Sequence, residues 1–299
     1  MTASSRSTLA RTLCFAASAL WTSLCYATPF FFSTGDPDGK IATASRPETV
    51  GKFEIESADD FALTSTTAIQ SATFTGLVTG ALPLSSIGEI RVEIYRIFPA
   101  DSDVGRTSGP PTFSTPKVPT RVNSPSDVEL ADRDNATGNL TFQTTDLGSF
   151  SAQNSVQPGG IHATPGQTTG GDGPVTGEEV QFDVTFTTPF LLPPGHYFFV
   201  PQVEVTTADG EFLWLSAPKP IVPPGTPFPP GFTDLQSWTR DELLVPDWLR
   251  VGTDIVGGNP APTFNAVFSL TGIVPEPSSL ILVGLGLVVV GWWYRRDRG

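Results

Sequence analysis

Strict alternation of apolar and polar side chains is the property of this chain that restricts its fold most. A period of two places successive side chains on opposite faces of the backbone, as in a strand with one face buried. The pattern recurs in three segments, at residues 90–95, 180–187 and 264–270. Further strand candidates lie at residues 74–78, 198–205 and 211–215. Because the body shows no sustained helical periodicity, the sequence predicts an all-β fold.

The body of the chain, residues 28–273, is long enough for one large β domain. The chain contains 21 phenylalanines, which supply material for an apolar core. These features predict a single antiparallel β-sandwich, with the jelly roll as one arrangement of it. Stretches rich in Pro, Gly, Ser and Thr are predicted to be irregular surface regions, at residues 99–125, 154–177 and 216–231.

An uncharged apolar run, Leu280 to Tyr294, lies near the C-terminal end. As a helix it spans roughly 22 Å, short of the ~30 Å hydrocarbon core, but residues 278–294 can span a bilayer that thins locally. Its last three residues are aromatic, as at a membrane interface, and Arg295, Arg296 and Arg298 follow at once. This order predicts a transmembrane helix with the body outside and the basic tail, residues 295–299, in the cytoplasm.

The segment just before this run is Val274, Pro275, Glu276 and Pro277. Each proline lacks an amide donor and favours extended geometry in the residue before it, so the peptide is predicted to be extended and open to a protease. Residues 274–299 thus contain an extended proline-containing peptide, then an apolar span, and then a cluster of arginines. This order resembles the PEP-CTERM sorting signal of Gram-negative bacteria.

The resemblance implies processing by the membrane enzyme exosortase. It also implies export, transient retention in the inner membrane, cleavage near residues 275–277, and a place at the cell surface or outside the cell, often with exopolysaccharide. An ordinary single-pass anchor that is never cleaved is the alternative. The body is similar, at LLPPGHYFFV in residues 191–200, to strand starts of uncharacterised bacterial extracellular β-sandwich proteins.

The N-terminal segment, residues 1–27, reads as a secretory signal peptide. Two arginines precede an apolar stretch, and Ala27 follows with the small residue Cys25 two positions before it, which predicts cleavage after Ala27. The second cysteine, Cys14, also lies in this segment. The exported body therefore has no disulfide and depends on its apolar core.

The chain carries a formal net charge of −13. Several of its arginines lie in the two end segments, so the body is more acidic than the whole. Such a surface repels phosphate backbones, and nucleic-acid binding is not expected.

Common catalytic signatures are missing from the sequence, which contains no GxSxG, HExxH or GxxxxGK[ST] motif. His162 and His196 have no second ligand at metal-binding spacing, so no zinc site is predicted. Glu178, Glu179 and Asp183 are carboxylates of the kind that glycosidases use, but adjacent strand residues point to opposite faces. We therefore expect no catalytic residues and no enzymatic activity.

Two acidic loops could in principle supply oxygen ligands for calcium. One contains Asp36 and Asp38, and the other contains Asp127, Glu129, Asp132 and Asp134. A plain turn and a solvated loop are the favoured interpretations, so no metal and no cofactor is predicted.

Trp238 and Trp248 stand beside acids and arginines, a composition that suits sugar binding by stacking and hydrogen bonding. The leading hypothesis is a non-catalytic structural or adhesive surface protein of the cell envelope or exopolysaccharide matrix. A carbohydrate-binding module, with or without calcium, is the first alternative. A glycoside hydrolase that modifies the matrix is the second.

Overall fold

The computed structural model describes residues 27–80, 84–105, 121–161 and 168–275. These residues form fifteen strands in two sheets, which confirms the all-β prediction. The strands are β1 Thr28–Ser33, β2 Ile41–Ala44, β3 Ile55–Leu63, β4 Thr67–Val78, β5 Ile87–Arg96, β6 Ala131–Asp134, β7 Leu140–Ala152, β8 Asn154–Val156, β9 Val175–Leu192, β10 Gly195–Val205, β11 Phe212–Ala217, β12 Trp238–Asp241, β13 Leu249–Arg250, β14 Asn265–Ala266 and β15 Phe268–Val274.

The larger sheet is organised around β4. On one side of β4, β9 pairs with it along the whole length of β4, from Thr67 to Val78. β7 then pairs with the other edge of β9. On the other side two strands share β4, because β15 pairs with its first part and β11 with its last three residues. β1 extends the sheet beyond β15, and β2 and β8 extend it beyond β11. β14 pairs with the end of β11.

The smaller sheet has the strand order β13, β12, β3, β10, β5, β6. All five pairs of neighbouring strands in this sheet are antiparallel. Its strand β3 is buried along its whole length although it contains Glu56, Asp59 and Asp60. Both faces of this strand are therefore covered, and its charged side chains need partners inside the protein.

Aromatic side chains from the two sheets meet in one core. The ring of Phe199 on β10 stacks on Phe268 of β15, with centroids 5.0 Å apart, and lies 6.3 Å from Phe74 of β4. Phe74 in turn stacks on Phe182 of β9 at 5.0 Å. The phenylalanines thus form the apolar core that a body without disulfides requires.

One predicted irregular region contains regular structure. Residues 154–177 begin with β8, which pairs in parallel with β2 and is largely buried. A three-residue strand is too short to show a period in the sequence, and for this reason the prediction missed it. The body also contains one helical turn of the π type at Val251–Val256, just after β13.

Pro29–Ile273 form one compact unit. The other unit comprises Met1–Thr28 and Val274–Gly299, of which the structure describes only residues 27, 28, 274 and 275. Within the described ranges no helix is long and apolar enough to cross a membrane. The predicted signal peptide and transmembrane helix lie outside these ranges, apart from Ala27.

Candidate functional site

The sorting segment begins where the last strand ends. β15 runs antiparallel to β4, with Phe268 opposite Phe74 and Ile273 opposite Ala68, and it ends at Val274. Pro275 follows and is exposed. Because proline has no amide hydrogen, it cannot extend the ladder, and the strand stops at the first residue of the proline-broken peptide.

The remaining predicted sorting residues lie outside the described ranges, namely Glu276, Pro277, Arg295, Arg296 and Arg298. At the other end, Ala27 directly precedes Thr28, the first residue of β1. Cleavage after Ala27 would therefore leave the whole of β1 in the mature chain.

The first and last strands of the body run side by side in opposite directions. β1 is the neighbour of β15, and the amide of Thr34, just past β1, donates to the carbonyl of Phe268, which opens β15, at 3.0 Å. The start of β1 and the end of β15 consequently lie at the same end of the larger sheet.

The two candidate sugar-binding tryptophans are buried. Trp238 on β12 is 2% exposed and Trp248 is 3% exposed. Trp248 donates its indole N–H to the carbonyl of Ser126 at 3.1 Å, and its ring meets Tyr95 edge to face. Neither ring presents an open face, so the structure gives no geometric support to the stacking hypothesis for this pair.

The charged neighbour of Trp238, Arg240, also points into the protein. Its Nη2 donates to Glu56 Oε1 and to Tyr95 Oη, each at 2.9 Å, and its guanidinium lies 4.2 Å from the Trp248 ring centre. Tyr95 Oη in turn donates to Glu56 Oε1 at 2.5 Å. The charge of Arg240 is thereby matched by Glu56 and covered by aromatic rings.

A second carboxylate, Glu93, lies within 3.2 Å of the same Tyr95 hydroxyl. Burial, together with the charges of Glu56 and Glu54, raises the pKa of Glu93 well above its ordinary value. Burial alone would raise the pKa of Glu56 too, but the charge and hydrogen bonds of Arg240 outweigh it and leave that pKa lowered.

The pKa values of these neighbouring carboxyl groups are therefore shifted in opposite directions, upward for Glu93 and downward for Glu56. Two carboxyl groups with separated pKa values are the kind of pair that glycoside cleavage uses. Both side chains are buried, however, so a substrate cannot reach them in this conformation. The sequence did not predict this network. The one indication of it in the sequence is the presence of charged residues in β3, a strand that the structure shows to be buried on both faces.

His196 is held by a buried carboxylate. Its Nε2 lies 2.5 Å from Asp60 Oδ2, and its ring contacts those of Phe228 and Phe232. Burial raises the pKa of Asp60 although His196 opposes that shift. On the opposite face of the same strand, burial and the charge of Asp60 raise the pKa of Asp59 well above its ordinary value. His162 lies outside the described ranges.

The carboxylates first considered for glycoside cleavage lie on β9. Asp183 accepts hydrogen bonds from Thr73 Oγ1 at 2.7 Å and Gln181 Nε2 at 2.9 Å. Glu179 shares that face, but four residues of strand separate it from Asp183 by about 13 Å. Glycosidase pairs lie about 5–9.5 Å apart, so strand spacing does not bring these two together.

Residues of the two acidic loops have partners within the protein. Asp38 Oδ1 accepts from Ser216 Oγ at 2.6 Å, and Asp134 accepts from the amide of Thr137 at 2.6 Å. Asp127 forms an ion pair with Arg121. In the part of the chain that the structure describes, no group of three or more His, Cys, Asp or Glu is arranged to hold a metal ion.

Comparison with known proteins identifies the C-terminal segment alone. No curated protein matches the chain, and no solved structure does. The family model that matches is the PEP-CTERM protein-sorting motif, over residues 274–296. Such a motif implies export, membrane-anchored sorting at the C-terminal end and processing by exosortase. From the last residue of β15 onward, this chain carries the PEP-CTERM protein-sorting motif.

Proposed function

We propose that this protein is an exosortase substrate whose β body serves a non-catalytic structural or adhesive role in the cell envelope or exopolysaccharide matrix. One observation carries the proposal. The sorting motif begins at Val274, the residue at which the folded sheet ends. Cleavage at residues 275–277 would therefore separate the body from its anchor without cutting any strand.

The proposed topology places residues 278–294 across the inner membrane and the body in the periplasm. The aromatic residues at the end of this span and Arg295, Arg296 and Arg298 support that orientation. Residues 1–27 supply the export signal and are removed after Ala27. After processing the body is at the cell surface or outside the cell.

We infer that the body is a β-sandwich. The ring contacts that Phe199 makes with Phe74 and Phe268 support this architecture, because they join the inner faces of the two sheets. A non-catalytic role is supported by the burial of the strongly shifted acids Glu93 and Asp59, which removes them from substrate.

The motif can be tested with the variant Glu276→Ala in a host that has exosortase. We expect the variant to stay in the membrane fraction with its tail attached, while the unchanged protein is shortened and leaves that fraction. Glu129→Ala, which alters an exposed loop carboxylate, is the matched control and should be processed normally. Normal shortening of the Glu276→Ala variant would contradict the assignment of the motif as the recognition site.

A further inference from the structure

A lysine, an asparagine and an aspartate meet beside the end of β11. Lys219 follows this strand closely, and Asn265 lies on β14, which pairs with β11 so that Ala217 is opposite Asn265. Nζ of Lys219 donates to Oδ1 of Asn265 at 2.8 Å and to Oδ1 of Asp234 at 2.7 Å. Nδ2 of Asn265 donates to Oδ2 of Asp234 at 3.2 Å. Each of the three side chains therefore contacts the other two.

The surrounding fold fixes the orientation of the Asn265 amide. Asn265 is 1% exposed, and its Nδ2 also donates to the carbonyl of Pro218 at 3.4 Å. The backbone amide of the next residue, Ala266, donates to Oδ2 of the buried Asp59 on β3 at 2.8 Å. With these contacts the amide oxygen faces the lysine, which only donates, and the amide nitrogen faces the carboxylate, which accepts.

The Lys219 amine is within reach of the amide carbon of Asn265. This carbon, Cγ, lies one C=O bond of about 1.2 Å from Oδ1, so it is at most about 4 Å from Nζ. Reacting atoms in a near-attack arrangement are about 3–3.5 Å apart. A movement of about 1 Å or less therefore brings the amine to the distance at which it can act as a nucleophile on the amide.

Asp234 is placed to move the proton that such a reaction requires. One of its carboxylate oxygens contacts the Lys219 ammonium, and the other contacts the amide nitrogen of Asn265. A carboxyl group in contact with both the nucleophile and the leaving group can act first as a general base and then as a general acid. The side chains of Lys219 and Asp234 are 13% and 21% exposed, so the leaving group has a path to solvent.

We propose that Lys219 and Asn265 form an intramolecular amide cross-link. Asp234 takes a proton from the Lys219 ammonium, and the neutral amine attacks Cγ of Asn265. Asp234 passes this proton to Nδ2, and the Cγ–Nδ2 bond breaks as the Nζ–Cγ bond becomes an amide. The second proton that Nζ gives up leaves with the ammonia as ammonium, so Asp234 is again a carboxylate. No group is oxidised or reduced, and no co-reactant is needed.

The cross-link gives the body a covalent closure that its sequence cannot supply through cysteine, since both cysteines lie in residues 1–27. It joins the segment after β11 to β14, which directly precedes β15, the strand that leads into the sorting motif. The assignment concerns the body alone and is independent of sorting. Its failure would leave the exosortase proposal intact.

The test is peptide mapping of the denatured full chain by mass spectrometry, after digestion with a protease that cuts after acidic residues. Several acidic residues lie between Lys219 and Asn265, so without a cross-link the two residues leave on separate peptides. We expect one joined species, lighter than the sum of the two peptides by the mass of one ammonia. Two separate peptides would overturn the proposal, as would loss of one water, which would mark a bond from Lys219 to Asp234.

Two variants and a matched control test the roles of the side chains. Lys219→Met should remove the joined species. Asp234→Asn keeps the shape of the side chain but removes the general base, so the joined species should appear about a hundredfold or more slowly after synthesis. Lys52→Met is the control, because Lys52 is 14% exposed and pairs with Glu211, and this change should leave the rate as it is. An Asp234→Asn chain that cross-links as fast as the unchanged chain would contradict the assigned proton transfer.

Discussion

At the scale of single residues, Arg240 shows how this body uses charge. Its guanidinium is buried, hydrogen-bonded to Glu56 and Tyr95, and lies over the Trp248 ring. From the sequence, Trp238, Arg240 and Asp241 have the composition of a sugar-binding surface. The structure instead places them in a strand that is buried on both sides, a tertiary context that composition does not reveal.

Arg240→Ala should lower the free energy of unfolding by about 3–5 kcal/mol, because it leaves Glu56 buried and unpaired. Denaturant unfolding of the purified protein measures this loss. Arg96→Ala is the matched control, since Arg96 pairs with Asp101 at an exposed position and its removal should cost less than about 1 kcal/mol. Equal losses for the two variants would show that burial does not set the strength of the Arg240 pair.

Glu93 leads to a prediction about how the stability of the folded protein depends on pH. Its raised pKa means that the folded state binds a proton that the unfolded state releases above its ordinary pKa of 4.5. The stability that Glu93 contributes is therefore present below pH 4.5 and is lost as the pH rises toward the raised value.

Glu93→Gln keeps the shape of the side chain and cannot ionise. Its melting temperature relative to that of the unchanged protein should rise as the pH increases from 4.5 into the alkaline range. Thermal unfolding at a series of pH values measures the difference. A difference that is constant across this range would mean that Glu93 has the same pKa in both states.

At the scale of elements, alternation in the sequence identifies strands with one exposed face. It predicts the central parts of β5 and β9, and it also predicts β14 and the first three residues of β15. Alternation fails for β3, where polar residues are buried on both faces, and for β8, which is too short. The residues of the Arg240 network could not be grouped from sequence either, because Glu56, Tyr95 and Arg240 lie on three different strands and meet only through tertiary packing.

The junction of β15 with the motif yields a further prediction. Only residues 275–279 separate the end of the strand from the apolar run, so cleavage within residues 275–277 would take place near the folded body. Because these residues span at most about 20 Å, we expect the body to hinder the access of exosortase.

A flexible Gly-Ser linker inserted between Val274 and Pro275 should therefore speed processing. Pulse labelling measures the rate at which the shortened form appears. The same linker between Gly170 and Gly171, in an exposed loop, is the control and should leave the rate unchanged. Slower processing with the linker at Val274 would indicate that the enzyme needs the folded body close to its site.

At the scale of the whole molecule, the topology of the larger sheet relates the two predicted processing sites. β1 and β15 are antiparallel neighbours, so the strand that follows the predicted signal peptide and the strand that precedes the motif meet at one end of the body. Removal of both end segments would also remove several arginines and leave a more acidic body. Anionic lipid would repel such a surface, which would favour release from the membrane after cleavage.

The most direct test of exosortase sorting is the intact mass of the protein recovered from cells with and without exosortase. With the enzyme, we predict a chain that begins at Thr28 and ends within residues 275–277. Without it, the chain should begin at Thr28 and retain every residue to Gly299. Retention of residues 278–299 on surface protein from cells that have the enzyme would contradict the account and indicate an ordinary membrane anchor.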